Sequence, residues 1–156
     1  MLRLAYTPDG FDFVKQAGRL AVDDGLETPV TYSLFTNAPA TDDELAAAGL
    51  TRDQDNGAWW GNDFVEVDGD VWGSKLWLLA RAKRTDETLA RAAGYATDAV
   101  AWLISDGLAS KIPIVTSWYG RTGFLALGAQ MYRPGELQPR WRRLWNVQTH
   151  ELIESG

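Results

Sequence analysis

The clearest periodicity in the chain lies between residues 85 and 107. Leu89, Ala93, Ala96, Val100 and Leu103 fall on one stripe, flanked by Tyr95 and Trp102. Thr85-Asp86-Glu87 supplies a polar, acidic start and Gly107 a stop, so the spacing predicts a helix over about 86–106. Just before it, Leu76, Leu79, Ala80 and Lys83 fall at helical spacing behind a capping Ser74, which predicts a second helix over about 74–84. Leu26, Val30 and Leu34 recur every four residues, with Pro29 tolerable in a first turn; this reads as a short helix from about Thr28 to Phe35, although Val30, Thr31 and Tyr32 also suit a strand. Asp42-Asp43-Glu44 opens a further helical turn that Gly49 closes.

The remaining patterns alternate with period two. Phe11–Val14 and Arg19–Val22, joined through Gly18, read as a small hairpin, and Phe64–Trp72 alternates around Asp68-Gly69, a strong turn signal. Ile112–Trp118 and Phe124–Tyr132, joined by Tyr119-Gly120-Arg121-Thr122-Gly123, predict a hairpin over about 111–132, and Pro113 marks its first strand as an edge. Pro134, Gly135 and Pro139 then interrupt the pattern. The expected architecture is a single α+β domain over 1–135, with two main helices (about 74–84 and 86–106) packed against small antiparallel hairpins. Residues 136–156 are expected to form a basic, aromatic arm or a terminal helix.

Composition narrows the chemistry. The 156 residues fit one core of ordinary size, and no apolar run approaches the roughly 18 residues a spanning helix needs. No basic-then-apolar leader opens the chain, so a soluble, unprocessed protein is expected. With no cysteine there is neither a disulfide framework nor a thiolate nucleophile, and His150 is the only histidine available to a triad or a metal site. The net charge of −6 argues against general nucleic-acid affinity. That average conceals an asymmetry: 18 of the 21 acidic side chains precede residue 111, whereas Lys111, Arg121, Arg133, Arg140, Arg142 and Arg143 face only Glu136, Glu151 and Glu154 after it. An acidic body with a basic tail suits a subunit that docks between unlike neighbours.

The candidate chemical motifs reduce to structure. Glu66, Asp68 and Asp70 alternate with Val65, Val67 and Val71, which places the carboxylates on the solvent face of a hairpin. Asp53-Gln54-Asp55-Asn56-Gly57 has its glycine one place early for a calcium loop, and Phe64 stands where the bidentate glutamate belongs. The 15 glycines form no phosphate-cradling run. No metal, nucleotide or other cofactor is expected. Eight tryptophans remain to be explained, of which Trp59, Trp60, Trp72 and Trp77 lie close together; core burial and a subunit interface satisfy them equally well. Arg140-Trp141-Arg142-Arg143-Leu144-Trp145 interleaves cations with aromatics, a composition suited to a protein groove and, less well in an acidic protein, to single-stranded nucleic acid or an anionic membrane.

Several strings, taken in order, carry more than periodicity. Leu26-Glu27-Thr28-Pro29-Val30 with Ser33-Leu34-Phe35-Thr36, then Trp59-Trp60-Gly61-Asn62-Asp63, then Gly73-Ser74-Lys75-Leu76-Trp77-Leu78-Leu79, then Tyr95–Leu103 with Asp106-Gly107 resemble the small baseplate protein family of Mu-like phages over about residues 10–133. That family is similar in turn to the small wedge proteins of other contractile phages. The resemblance implies a structural subunit without catalytic residues, sited in the virion tail baseplate after assembly in the host cytoplasm. Its implied partners are larger wedge proteins and the tail sheath, to which it offers a strand. The chain departs from the family in carrying Asn37-Ala38-Pro39 where Asp-Arg-Arg is common, and it lacks the Glu-Pro-Arg triplet of the wider relatives. On this reading the contact residues are Trp59, Trp60, Ile112, Ile114, Thr116, Trp118, Trp141, Arg142 and Trp145. The competing readings are a peptidoglycan-cleaving enzyme built on Asp63 and Glu66, and an adaptor that holds a partner through Arg140–Trp145.

Overall fold

The computed structural model describes residues 2–7, 10–21, 23, 25–51 and 71–156, with backbone alone for 5–7, 10 and 11. The described residues form an α+β fold. Strands β1 (Leu4–Thr7) and β2 (Gly10–Phe13) pair antiparallel, as do the two-residue strands β3 (Lys15–Gln16) and β4 (Arg19–Leu20). The hairpin expected between Phe11–Val14 and Arg19–Val22 is therefore divided: Lys15 pairs with Leu20 as alternation requires, whereas Phe13 pairs back to Leu4. An upstream strand takes the hydrogen bonds that Phe11–Phe13 have to offer.

Helix α1 (Glu27–Phe35) settles the ambiguity at Val30-Thr31-Tyr32 in favour of helix. Its N-cap residue, Leu26, is left-handed and supplies no side-chain cap. Asp23 does that work instead, accepting from the backbone N–H of Gly25 (2.9 Å), Glu27 (3.3 Å) and Thr28. Burial opposes ionisation of the Asp23 carboxyl, but these donors outweigh it and hold its pKa below the usual carboxylate value. Helix α2 (Asp42–Ala47) starts with a full capping box, in which Thr41 Oγ1 accepts from Glu44 N–H and the Glu44 carboxylate accepts from Thr41 N–H.

The helix expected over 74–84 is a 3₁₀ turn, Leu76–Leu79, that buries Leu76, Leu78 and Leu79. Its shortness has local causes. Ser74 Oγ donates to the Leu34 carbonyl, the Trp77 indole N–H donates to the Ala38 carbonyl at 2.9 Å, and a parallel bridge joins Asn37 to Ser74. The segment is thereby fixed to the end of α1 before a regular helix can extend. Helix α3 (Asp86–Ser105) follows the predicted span closely, with Thr85 as its cap and Thr88, Ala92, Ala96, Val100 and Leu103 as its buried stripe.

The principal sheet has four antiparallel strands in the order β5 (Ile114–Tyr119), β6 (Phe124–Met131), β7 (Trp141–Asn146) and β8 (Leu152–Ser155). Residues 141–155, expected as an arm or terminal helix, thus supply half of this sheet. Leu125, Leu127, Ala129 and Met131 of β6, with Trp141 and Trp145 of β7, enter the core built on α1, the 3₁₀ turn and α3. The period-two pattern of β7 is obscured in the sequence because Arg143 occupies an inward position between the two tryptophans, where it pairs with Glu27.

Candidate protein-contact surface

Strand β5 lies at one margin of the sheet, with β6 on one side and no described strand on the other. Gln130 N–H donates to the Pro113 carbonyl at 3.2 Å, which identifies Pro113 and Gln130 as a hydrogen-bonded pair. In an antiparallel ladder such pairs alternate, so the backbone groups of Val115, Ser117 and Tyr119 face β6, while those of Ile114, Thr116 and Trp118 face the open margin. Pro113 stands just before β5 with its missing N–H on the β6 side, so it costs the ladder one donor at its end, and the open margin follows from the strand order.

Side chains on β5 divide differently from its backbone groups. Ile112 is buried, and Ile114 and Trp118 are half-buried against the core. Thr116 Oγ1 donates to the Leu89 carbonyl of α3 at 2.7 Å. These four, expected as contact residues, therefore face inward with their side chains and offer a neighbour only main chain. The outward positions are Val115, 66% exposed, and Tyr119, whose hydroxyl donates to Glu154 Oε1 of β8 at 3.0 Å. Glu154 in turn raises the phenol's pKa through that hydrogen bond.

The aromatic segment of the tail is also placed otherwise than expected. Trp141 and Trp145 are core residues, 5% and 3% exposed, with edge-to-face ring packing between them, and Trp145 meets Phe35 in the same manner. Of the three expected contact residues there, Arg142 alone is exposed. Trp59, Trp60, Asp63 and Glu66 lie outside the described residues. Among the described residues no group of three His, Asp or Glu side chains is arranged to hold a metal ion. His150 stacks on Phe35 with ring centroids 4.5 Å apart, and burial lowers its pKa.

Sequence reasoning missed one feature altogether. A hollow of about 480 Å³ opens between the 3₁₀ turn, the β5–β6 turn and the segment after β7, lined by Trp77, Trp118, Phe124, Arg84, Asn37 and Gln148 among others. These residues come from distant stretches of the chain, so no local motif announces it.

Comparison with known proteins adds a lineage to this geometry. Residues 26–138 match the model of the family described as phage protein GP46. The baseplate protein gp46 of Escherichia phage Mu is 38% identical over 113 residues, covering 72% of this chain and 74% of that protein. The Mu-like prophage FluMu protein gp46 of Haemophilus influenzae is 35% identical over 106 residues, covering 68% of this chain and 67% of that protein. The matched stretch contains α1, α2, α3 and the β5–β6 hairpin, and the chain belongs to the phage protein GP46 family.

Proposed function

We propose that the chain is a non-enzymatic structural subunit of a contractile phage or prophage tail baseplate, and that it joins wedge proteins to the tail sheath through protein contacts. The relative in phage Mu is named a baseplate protein, which supports the location. The observation that carries the contact mode is the open margin of β5, where Ile114, Thr116 and Trp118 present backbone donors and acceptors with no described strand beside them. An unpaired edge costs a free protein some risk of aggregation and is retained where another chain completes the sheet. The inward side chains anchor the strand on α3, so a neighbour meets a pre-ordered ladder and pays little ordering entropy.

The test uses two substitutions at one position. Thr116→Pro removes an outward N–H, and Thr116→Val removes only the hydroxyl that bonds Leu89. Tails assembled with the proline variant are expected to carry less sheath, while those with the valine variant carry the normal amount. Full sheath on tails that contain folded Thr116→Pro protein would refute the edge reading.

A further inference from the structure

The hollow walled by Trp77, Trp118 and Phe124 has a neighbour. A second, of about 380 Å³, also borders the segment joining the 3₁₀ turn to α3, and Ala82 lines both. Arg84 stands in the first, while Arg81, Lys83 and Arg91 line the second. Among the described lining residues the first contains no Asp or Glu, and Glu87 is the acidic member of the second. Arg81, Lys83 and Arg84 are exposed, and none of them is ion-paired to a described residue.

The β5–β6 turn passes close to this cation. Gly123 has φ +62°, and a Cβ there would lie 3.0 Å from Arg84 Nη1. Glycine therefore meets the backbone demand of the turn and leaves the space the guanidinium occupies. In a chain of net charge −6, this site combines cations that no described carboxylate pairs with, aromatic walls and two amide side chains, Asn37 and Gln148. A guanidinium beside low-dielectric walls binds a carboxylate more strongly than one in open water, and indole walls favour an apolar side chain next to it.

We propose that the hollow and the Arg81–Arg84 segment bind an acidic, apolar-anchored peptide segment of another protein. One apolar side chain enters between Trp77 and Trp118, an adjacent carboxylate pairs with Arg84, and further acidic residues run past Lys83 and Arg81. The site is separate from the open margin of β5. It rests on the reading that the chain works by protein contacts, but it is tested on the isolated full chain.

The probe is the peptide acetyl-Glu-Leu-Asp-Leu-Glu-amide, titrated into nitrogen-15-labelled protein while the indole N–H signals of Trp77 and Trp118 are followed. Both signals are expected to shift saturably, with affinity falling as salt is added and at least about tenfold weaker for the Gln/Asn analogue of the peptide. Arg84→Glu, at an exposed position, is expected to weaken binding about tenfold with an unchanged melting midpoint; Gln148→Glu, which adds a carboxylate to the lining and gives up the bond from Gln148 Nε2 to the Ala80 carbonyl, is expected to weaken binding about tenfold with a lower midpoint. The proposal is overturned if the indoles do not respond, if the neutral peptide or the two variants bind equally well, or if short oligothymidine competes more strongly than the acidic peptide. Each of those failures leaves the outcome of the Thr116→Pro experiment untouched, so the two readings fall separately.

Discussion

Arg143 of β7 holds Glu27, the first residue of α1, through both carboxylate oxygens: Nε donates to Oε1 at 3.1 Å and Nη2 to Oε2 at 3.2 Å. Beside this fork the Trp141 indole donates to the Gly25 carbonyl at 2.6 Å. Together the two contacts fix the N-terminal end of α1 to the sheet, and both come from a strand beyond the stretch that matches the family model. Both charged side chains are mostly covered, 16% and 21% exposed, so the pair is less screened by solvent than a surface ion pair.

Removing Arg143 leaves Glu27 with the longer contact to Arg3, at 3.5 Å, in place of the fork. Arg143→Ala is therefore expected to lower unfolding stability by about 1–3 kcal/mol, and Arg143→Lys to recover only part of the loss because an ammonium cannot reproduce the fork. Urea unfolding of the single and double variants at Glu27 and Arg143 measures the coupling. Additive losses would show that the two residues contribute independently.

A cut after Pro139 gives a sharper test of the tail. An appended arm would be lost without harm, whereas the structure removes β7 and β8 with the cut and strips Trp141, Trp145 and Val147 from the core. The truncated chain is expected to lose cooperative thermal unfolding and its near-ultraviolet dichroism. A sharp melt near that of the full chain would contradict the sheet assignment.

How legible the fold was follows from where its hydrogen bonds close. α3 and α2 were readable because their stripe, caps and stops are local, and the β5–β6 hairpin because its turn and its edge proline lie within the same twenty-odd residues. β7 was not, since Arg143 breaks the alternation and its carboxylate partner, Glu27, lies 116 positions away. The 3₁₀ turn was read as a helix because Ser74 and the leucines carry helical spacing, while the bond from Ser74 to Leu34 that overrides it spans 40 positions. At the candidate surface, Pro113 was read as the sign of an edge although its missing N–H faces β6; which side chains on β5 face outward depended on the position of α3, and the hollow at Arg84 assembles only in three dimensions.

Gly73 is a position where the backbone admits no side chain. Its φ is +100°, and a Cβ would lie 2.3 Å from the Thr36 carbonyl oxygen, which accepts the Ser74 N–H. Gly73→Ala must displace main chain at the bridge between Asn37 and Ser74, so a loss of more than about 2 kcal/mol is expected, with Ala at the open, left-handed Gly135 costing about 1–2 kcal/mol. Comparable melting midpoints for the two variants would show that the close approach at Thr36 relaxes freely.

His150 makes stability depend on pH in a window of its own. Burial against Phe35 disfavours the imidazolium, so the folded pKa lies below the unfolded value of about 6.5. Above the unfolded value both states are neutral at this residue and its contribution is complete. On acidification the unfolded chain takes up the proton first, so stability falls from about pH 7 downward and levels once pH passes the folded value. Asp23, whose pKa is also lowered, withdraws its contribution only further down, as pH falls through the carboxylate range. The chain has one histidine, and residue 150 has φ +61°, which asparagine tolerates. His150→Asn is thus expected to lower stability at every pH through loss of the ring stack, yet to flatten the profile below about pH 7 down to the carboxylate range. An equally steep profile in the variant would assign that slope to groups other than His150.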